Sequence, residues 1–291
     1  MTDPRQAAVE ELHELLAIEE IDTDFYRGPA AAEGPGRVFG GQVVAQALSA
    51  AAQSMPEGKQ AHSLHAYFLR AGDTTRPIIY RVLRDFDGGS FANRRVVAMQ
   101  GGLPILNLAA SFHRPEEGFT HAANMPDVPG PEACPDFVSA LEASGQSIPA
   151  AMLDRLAAFD VRPGLPSPDG HGTGMPSQFL WFRLARPMDS EDPAMQRIVL
   201  AYASDFALVT TAVVPHPVSF FSPKLQVASL DHAVWFHATP QVGDWLLYAM
   251  DSPWAGHARG FARGSIFDRA GNLVASIAQE GLCRVVDAKK N

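Results

Sequence analysis

The sequence repeats one pattern at a nearly constant offset of 167 or 168 residues, and this duplication limits the possible folds more than any other feature. Three segments of the first half match three segments of the second half in the same order: 63–68 with 230–236, 95–105 with 263–273, and 106–112 with 274–280. A chance similarity would drift in offset. A constant offset over about fifty residues indicates that one unit was duplicated and fused.

Each half has the same order of predicted elements, which is an apolar helix followed by strands. The helices are predicted at 41–52 and 195–214, and the strands at 62–69, 78–85, 91–99 and 105–113 in the first half and at 227–237, 245–252, 258–267 and 273–285 in the second. Gly-containing turns join the last two strands of each half, as in β-hairpins. This pattern predicts an α+β double hotdog fold, in which two antiparallel sheets each wrap around a central helix and join into one long sheet.

The segment between the two halves differs from them in composition. Residues 115–176 hold ten of the 23 prolines. We therefore predict an N-terminal hotdog domain at 1–114, a Pro/Gly-rich connector at 115–176 and a C-terminal hotdog domain at 177–291. Long segments of this kind either pack irregularly over the surface or act as a lid over a substrate channel, and the sequence leaves both interpretations open.

Composition excludes several classes of partner. A net charge of −9 and a pI near 5.5 argue against a nucleic-acid partner, which would require a basic face. Cys134 and Cys283 are far apart in the sequence and form no CxxC or His/Cys cluster, so we expect neither a zinc site nor a redox motif. The lack of a cysteine framework and of a signal-peptide pattern predicts a cytoplasmic protein. No apolar run reaches the length of a membrane span.

Two polar residues are predicted to lie where the chain should be apolar. Asp205 falls within the second predicted helix, where an ionised carboxylate is costly unless it is paired. It is interpreted either as a local cap or as a general base whose pKa is raised by burial. Gln279 shares the inward face of the last strand with Ala275 and Ile277. It is interpreted either as a satisfied core residue or as the partner of that carboxylate.

A third candidate, Ser229, gains its significance from the repeat. The two offsets align Ser229 with His62 and Gln279 with Ser111, whereas Asp205 aligns with a position before the first helix. None of these three polar residues therefore has a like counterpart in the first half. If they served folding alone, both copies should carry them. The asymmetry predicts one catalytic site per chain, in the second half.

Weaker signals mark candidate substrate-binding residues. Gly40 and Gly41 open the first helix, where paired glycines allow close approach of a ligand and unpaired N–H groups can bind an oxyanion. A simple tight turn explains the two glycines equally well. Arg259 and Arg263 could bind phosphate groups, but solvated surface positions are an equal alternative.

A serine hydrolase is an alternative interpretation, because Ser229, Asp231 and His232 are neighbours in the sequence. The chain contains no G-x-S-x-G motif. On one strand, Ser229 and His232 would point to opposite faces because they are an odd number of positions apart. This arrangement does not predict a serine–histidine pair.

Seven stretches spread over nearly the whole chain carry a family resemblance: VFGGQVV at 38–44, SLHAYFLR at 63–70, PIIY at 77–80, AYASD at 201–205, DHAVWFH at 231–237, ARGFARG at 258–264 and QEG at 279–281. In these stretches the chain resembles the acyl-CoA thioesterase II family. The resemblance implies a double hotdog fold and hydrolysis of fatty acyl-CoA to free fatty acid and CoA, without a metal or a cofactor.

The same resemblance implies a catalytic triad of Asp205, Ser229 and Gln279. Many members of the family have Thr where this chain has Ser229, and either hydroxyl can hydrogen-bond a water molecule. A histidine of a first-half strand has been discussed for some members, and it corresponds to His62 here. The implied mechanism is direct attack by water, with Asp205 as the base.

Two other function classes remain at this stage. A hotdog hydratase or dehydratase would use a catalytic histidine facing an acid, which is not predicted near Asp205. A non-catalytic acyl-CoA-binding protein would not need the three polar residues of the second half. Sheets of this type often join edge to edge, so we also expect a homo-oligomer.

Overall fold

The computed structural model describes residues 3–30, 36–143, 145, 149–165, 174–188, 190, 192–220 and 222–286. The helices in these ranges are α1 (Pro4–Leu16), α2 (Gly40–Gln53), α3 (Phe137–Ala143), α4 (Ala150–Leu156), α5 (Pro193–Ala203) and α6 (Leu208–Thr211). The strands of the first half are β1 (Glu19–Asp22), β2 (Phe25–Gly28), β3 (Gln60–Phe68), β4 (Ile78–Asp87), β5 (Phe91–Gln100) and β6 (Leu103–His113). The later strands are β7 (Phe159–Pro163), β8 (Ser177–Leu184), β9 (Leu225–Ser229), β10 (Asp231–Phe236), β11 (Leu246–Gly256), β12 (Arg259–Asp268) and β13 (Leu273–Val285).

All of these strands belong to one antiparallel sheet. Its order is β1-β2-β4-β5-β6-β3-β10-β13-β12-β11-β8-β7, and β9 pairs with the end of β13. The two central strands, β3 and β10, pair directly, so the sheets of the two halves are continuous. The two halves of the sheet correspond strand by strand when each is followed from its own edge: β1-β2-β4-β5-β6-β3 in the first half matches β7-β8-β11-β12-β13-β10 in the second. This architecture is two fused hotdog folds and confirms the predicted fold class.

The two central helices pack against each other on the inner face of the sheet. Helix α2 is rich in alanine and valine, and it also contacts strands β3 to β6. Helix α5 begins at Pro193, where Asp192 caps it by accepting a hydrogen bond from the Ala194 N–H. The core is continuous between the halves because residues of both helices belong to one buried hydrophobic cluster. No helix in the described part of the chain is long and apolar enough to cross a membrane.

A pseudo-two-fold axis passes between β3 and β10. The main chain repeats one bonding pattern in the two halves: the N–H groups of Leu69 and Arg70 both donate to the carbonyl oxygen of Ile105, and those of His237 and Ala238 both donate to that of Val274. Counted back three residues from Leu69 and His237, Ala66 and Val234 are structural counterparts. Their neighbours on the adjacent strands, Leu108 and Ile277, are therefore counterparts as well. This relation gives the register of the repeat independently of sequence similarity.

The alignment of His62 with Ser229 and of Ser111 with Gln279 is wrong by one residue. Two positions beyond the Leu108–Ile277 match, Ala110 takes the place of Gln279. Ala61, which pairs with Phe112, takes the place of Ser229, which pairs with Gly281. A shift of one residue moves a side chain to the opposite face of a sheet, so the sequence offset selected outward-facing residues. The predicted difference between the halves remains, because Ala61 and Ala110 have no polar side chain in the places of Ser229 and Gln279.

Two predicted elements are interrupted in the structure. The helix predicted at 195–214 ends at Ala203, and a turn separates α5 from the short helix α6. At this end, the Ser204 hydroxyl donates to the carbonyl oxygen of Ala201 at 2.9 Å, which competes with continuation of the helix. The strand predicted at 227–237 is broken at Leu230, because β10 pairs with β3 whereas β9 pairs with β13 alone.

The segment 115–176 contains more regular structure than its composition indicates. It includes α3, α4 and β7, and β7 pairs with β8 at the edge of the sheet. Met125 and Val128 pack on the outer face of the sheet against a small cluster around Trp181. Much of its Gly-rich end, at 166–173, lies outside the described residues, as do residues 146–148.

The end of α2 is held by a buried arginine. Arg94 is 1% exposed, and its guanidinium donates to the Ser54 hydroxyl oxygen at 2.9 Å and to Asp87 at 2.7 Å. Arg94 pairs across the sheet with Ala110, and in the second half Ala262 pairs with Gln279. In each half, one of these two paired positions holds a long polar side chain and the other an alanine. The polar side chain is Arg94 of β5 in the first half and Gln279 of β13 in the second.

Replacing Arg94 with Met should lower the free energy of unfolding by about 2–4 kcal/mol, because Ser54 and nearby carbonyl oxygens lose their donors. The matched control is Arg95→Met, which removes an exposed ion pair with Asp85 and should cost less than about 1 kcal/mol. Urea denaturation of both variants measures the difference. Equal losses would contradict the role assigned to Arg94.

Candidate active site

Asp205, Ser229 and Gln279 meet on the inner side of the second half. The Gln279 side-chain amide donates from Nε2 to Asp205 Oδ1 at 2.7 Å and to Ser229 Oγ at 2.9 Å. Gln279 thus uses both of its N–H donors to join the other two side chains. The structure brings together the three residues that the sequence selected.

Three different elements position these side chains. Asp205 lies in the turn that follows α5, rather than within the helix as predicted. Ser229 is the last residue of β9, directly before the break in the strand. Gln279 lies on the inner face of β13 and is 1% exposed. The end of the helix and the break in the strand are thus the local features that place Asp205 and Ser229 beside Gln279.

The first half also contributes to the site through the N-terminus of α2. The backbone N–H of Gly41 donates to the Asp205 carboxylate. A Cβ on Gly40 would lie 2.6 Å from Asp205 Oδ2, and one on Gly41 would lie 2.4 Å from the carbonyl oxygen of Tyr202. These contacts leave no room for a side chain at either position. The sequence left an oxyanion role and a simple tight turn open for this glycine pair, and in the structure the Gly41 N–H binds the Asp205 carboxylate.

Burial raises the pKa of Asp205 to about 6. The hydrogen bond from Gln279, the Gly41 N–H and the positive charge of Arg155 each act in the opposite direction and keep the pKa from rising further. Asp205 is partly accessible, so its carboxylate can meet a water molecule. A carboxylate with a pKa just below neutral pH is ionised at pH 7 and is basic enough to accept a proton.

Two groups of the triad have hydrogen-bonding capacity left. Ser229 Oγ accepts from Gln279, so its own proton is available to a third group. Gln279 Oε1 is buried and has no partner among the described residues. The site therefore offers a base, a hydroxyl donor and an amide acceptor, which together can hold and deprotonate one water molecule.

Aromatic rings line the approach to Asp205. Phe39 precedes the glycine pair and stacks on Phe206 with ring centroids 6.1 Å apart, and both rings are only partly buried. Phe206 also contacts Phe159 of β7 edge to face at 5.0 Å. Arg155 of α4 lies 5.2 Å from the centre of the Phe39 ring. Residues of the connector segment therefore reach the site.

Sequence patterns did not identify Arg155 or Phe159 as part of the site. Both residues lie in the Pro-rich segment, where no periodicity or repeat marks individual positions. Phe39 and Phe206 could have been found from their positions, because each directly neighbours a residue that the sequence did select, Gly40 and Asp205. An aromatic residue next to a candidate base is a weak signal without a structure.

The other predicted binding residues lie on the outer face of the sheet. His62 Nε2 is hydrogen-bonded to Ser111 Oγ at 2.8 Å. Arg263 is paired with Asp251 at 2.8 Å, and Arg259 is paired with Glu280 at 3.1 Å. The structure does not place any of these three side chains in contact with the triad. Two open cavities of about 350 and 410 Å³, which share Arg162 and Arg183 in their walls, do not include the triad either.

The raised pKa of Asp205 makes a prediction about stability. Between about pH 4 and pH 6, the folded protein keeps a proton on Asp205 that the unfolded chain has lost, so ionisation of this residue weakens folding as the pH rises. Asp205→Asn removes this effect and can still accept the bond from Gln279. Its advantage in unfolding free energy over the wild type should grow by about 1–3 kcal/mol from pH 4 to pH 7. A difference that is independent of pH in denaturation experiments would show that burial does not raise this pKa.

Comparison with known proteins agrees with the resemblance in the sequence. The family described as "Acyl-CoA thioesterase" matches residues 153–282, and the one described as "Acyl-CoA thioesterase N-terminal domain" matches residues 29–113. The "Acyl-CoA thioesterase 2" of Haemophilus influenzae is 41% identical over 276 residues, which cover 93% of this chain and 96% of that protein. The two family matches and the similarity to this relative thus cover most of this chain.

Solved structures show the same fold. The acyl-CoA thioesterase II TesB2 of Mycobacterium marinum is 36% identical, with a TM-score of 0.79 over 98% of this chain and 100% of that one. A protein with a hot dog fold from Alicyclobacillus acidocaldarius, 22% identical, has a TM-score of 0.74 over 99% of this chain and 100% of that one. This chain belongs to the acyl-CoA thioesterase family.

Proposed function

We propose that this protein hydrolyses fatty acyl-CoA thioesters to free fatty acid and CoA, using Asp205, Ser229 and Gln279 to activate one water molecule. The observation that carries the proposal is the hydrogen-bonded triad, in which a partly accessible carboxylate of raised pKa is held by Gln279 beside a free hydroxyl proton. The names of the relatives support the class of substrate.

The proposed reaction has no covalent acyl-enzyme intermediate. Asp205 accepts a proton from the water while the water oxygen attacks the thioester carbonyl carbon, and Ser229 and Gln279 orient that water. The tetrahedral intermediate then collapses with cleavage of the C–S bond. The CoA thiolate leaves and takes up the proton held by Asp205. Because a thiolate is a good leaving group, the protein has mainly to position the water and stabilise the developing charge.

The acyl chain of the substrate binds along the aromatic surface formed by Phe39, Phe206 and Phe159. Phe39 and Phe206 adjoin Gly40 and Asp205 directly, so a thioester at the triad would extend its alkyl chain over their rings. Burying alkyl carbons against apolar rings contributes about 0.8 kcal/mol for each methylene group. The contacts of Arg155 with Phe39 and of Phe159 with Phe206 support the interpretation of the connector as a cover over these rings.

The protein works in a reducing compartment, the cytoplasm, and forms a homo-oligomer. Cys134 and Cys283 are both free, which suits a reducing environment. Tyr67 and Trp235 are 64% and 36% exposed on the outer face of the central strands, where a second sheet could cover them. Sedimentation should give a mass that is a multiple of 31.3 kDa, and a monomer at micromolar concentration would contradict the expected assembly.

A panel of acyl-CoAs tests the function, with CoA release followed by a thiol reagent. Asp205→Asn should lower kcat at least about 100-fold, because the base is removed. Ser229→Ala and Gln279→Ala should lower it about 10-fold or more through loss of water positioning. The matched control is Ser276→Ala, which removes a hydroxyl of the same sheet that bonds to His237 away from the site. It should leave kcat unchanged.

Three outcomes would contradict the proposal at different points. Near-normal turnover by Asp205→Asn would show that another group is the base. Conversion of an unsaturated acyl-CoA without release of thiol would identify a hydratase. Binding of acyl-CoA without any turnover by the wild type would identify a non-catalytic binding protein.

A further inference from the structure

We propose that His232 is a positioning residue of the active site, which fixes Asp205 by holding the neighbouring residue Ser204. The inference rests on the proposed function, since it concerns the placement of the proposed base. His232 does not belong to the triad and is not one of the predicted binding residues. It is completely buried on the inner face of β10.

Ser204 connects His232 with the end of α5. Its hydroxyl oxygen lies 2.8 Å from His232 Nε2 and 2.9 Å from the carbonyl oxygen of Ala201. The carbonyl oxygen of Ser204 accepts a bond at 2.9 Å from the hydroxyl of Tyr248. Ser204, His232 and Tyr248 are all fully buried. The peptide unit that leads into Asp205 is therefore held from β10 and from β11.

The hydrogen-bond pattern determines which form of His232 is present. The Ala201 carbonyl can only accept, so Ser204 uses its single hydroxyl proton for that bond, and His232 must donate from Nε2. His232 Nδ1 then carries no proton, and it has no partner among the described residues. The alternative tautomer would leave an N–H donor buried without an acceptor. Burial also lowers the pKa of His232 to about 4, which keeps the ring neutral.

The residue before His232 holds the other side of the site. Asp231 Oδ1 accepts the backbone N–H of Glu280 at 2.6 Å, directly after Gln279. Successive residues of a strand point to opposite faces, so this dipeptide can contact β13 on one side and the end of α5 on the other. Each residue of the pair is bonded to the neighbour of a triad residue.

The first half shows why a neutral side chain holds this helix end. Ser54 ends α2 as Ser204 ends α5, and both hydroxyls bond to the carbonyl oxygen three residues earlier. Ser54 is held by the charged Arg94, whereas the counterpart of His232 on β3 is the apolar Leu64. A buried arginine beside Asp205 would form an ion pair with it and lower its basicity. The neutral imidazole of His232 holds Ser204 by a hydrogen bond, as Arg94 holds Ser54, but it places no positive charge beside Asp205.

The charged and titratable groups around Asp205 are few. Tyr248 of β11 has a pKa raised well above its usual value, first by burial and then by the charge of Asp205, so it is a neutral donor. Arg155 of α4 is the cation that acts on Asp205. Loosening the end of α5 should expose Asp205 to water and move its pKa toward the value of an ordinary carboxyl group.

The test compares two histidine–serine pairs. The histidine of one pair, His232, lies in β10, and the histidine of the other, His237, directly follows β10. His232→Ala and Ser204→Ala break the buried pair, and His237→Ala breaks the exposed pair with Ser276 as a matched control. Steady-state kinetics with an acyl-CoA that the wild type hydrolyses should be measured from pH 4.5 to pH 8 on folded protein. His232→Ala and Ser204→Ala should lower kcat about 10-fold or more with KM within about 2-fold. The inflection of kcat near pH 6 should move to lower pH.

Two further variants separate positioning from stability. The double variant His232→Ala/Ser204→Ala should lose no more activity than either single variant, because both act through one contact. His232→Gln can donate to Ser204 and should recover much of the activity and the original inflection. If His232→Ala does not fold, Ser204→Ala provides the same test.

Unchanged kcat and an unchanged inflection in folded Ser204→Ala would overturn this inference. Additive losses in the double variant, or a loss in His237→Ala as large as in His232→Ala, would do the same. Each of these results is distinct from failure of the proposed function, which would appear as absence of turnover by the wild type or as full turnover by Asp205→Asn.

Discussion

The structure depends on one close approach, between the N-terminus of α2 and the end of α5. Gly40 and Gly41 of the first half lie so close to Asp205 and Tyr202 of the second that no side chain fits at either glycine. The Gly41 N–H holds the carboxylate, and the positive end of the helix dipole favours its ionised form. The two halves are thus joined at the site itself as well as by the pairing of β3 with β10. The proposed base belongs to one half, and an essential part of its environment belongs to the other.

Duplication gives this chain two helix ends of the same design, and they differ in what surrounds them. In the first half, a buried arginine fills the inner face of β5 and bonds to Ser54, and alanines occupy the places of Ser229 and Gln279. In the second half, Ala262 replaces the arginine, and Gln279 extends from the next strand toward Asp205. The first half thereby gains a buried arginine whose guanidinium donates to Ser54 and Asp87. The second retains a largely buried carboxylate and an amide oxygen that has no partner among the described residues, and both are costly for folding and suited to chemistry.

Much of the fold could be predicted from the sequence because the repeat and the alternation of strands are periodic signals. The three triad residues were selected because polar side chains stood in apolar patterns without a like counterpart. The exact register could not be predicted, since similarity in the sequence tolerates a slip of one residue and, counted between equivalent paired residues, the connection of β12 to β13 is one residue longer than the connection of β5 to β6. The end of α5 at Ala203 was missed because its apolar pattern continues to Val214. Contacts made by Arg155 and Phe159 arise from tertiary packing of an aperiodic segment, which no local pattern records.

We expect the fused chain to have one composite site and not two. Titration calorimetry with a non-hydrolysable thioether analogue of a fatty acyl-CoA tests it directly. The asymmetry of the two halves predicts one equivalent of analogue bound per chain, and Gly40→Val in the first half should abolish that binding by displacing Asp205, although no triad residue is replaced. Two equivalents per chain, or full binding by the Gly40→Val variant, would contradict the account.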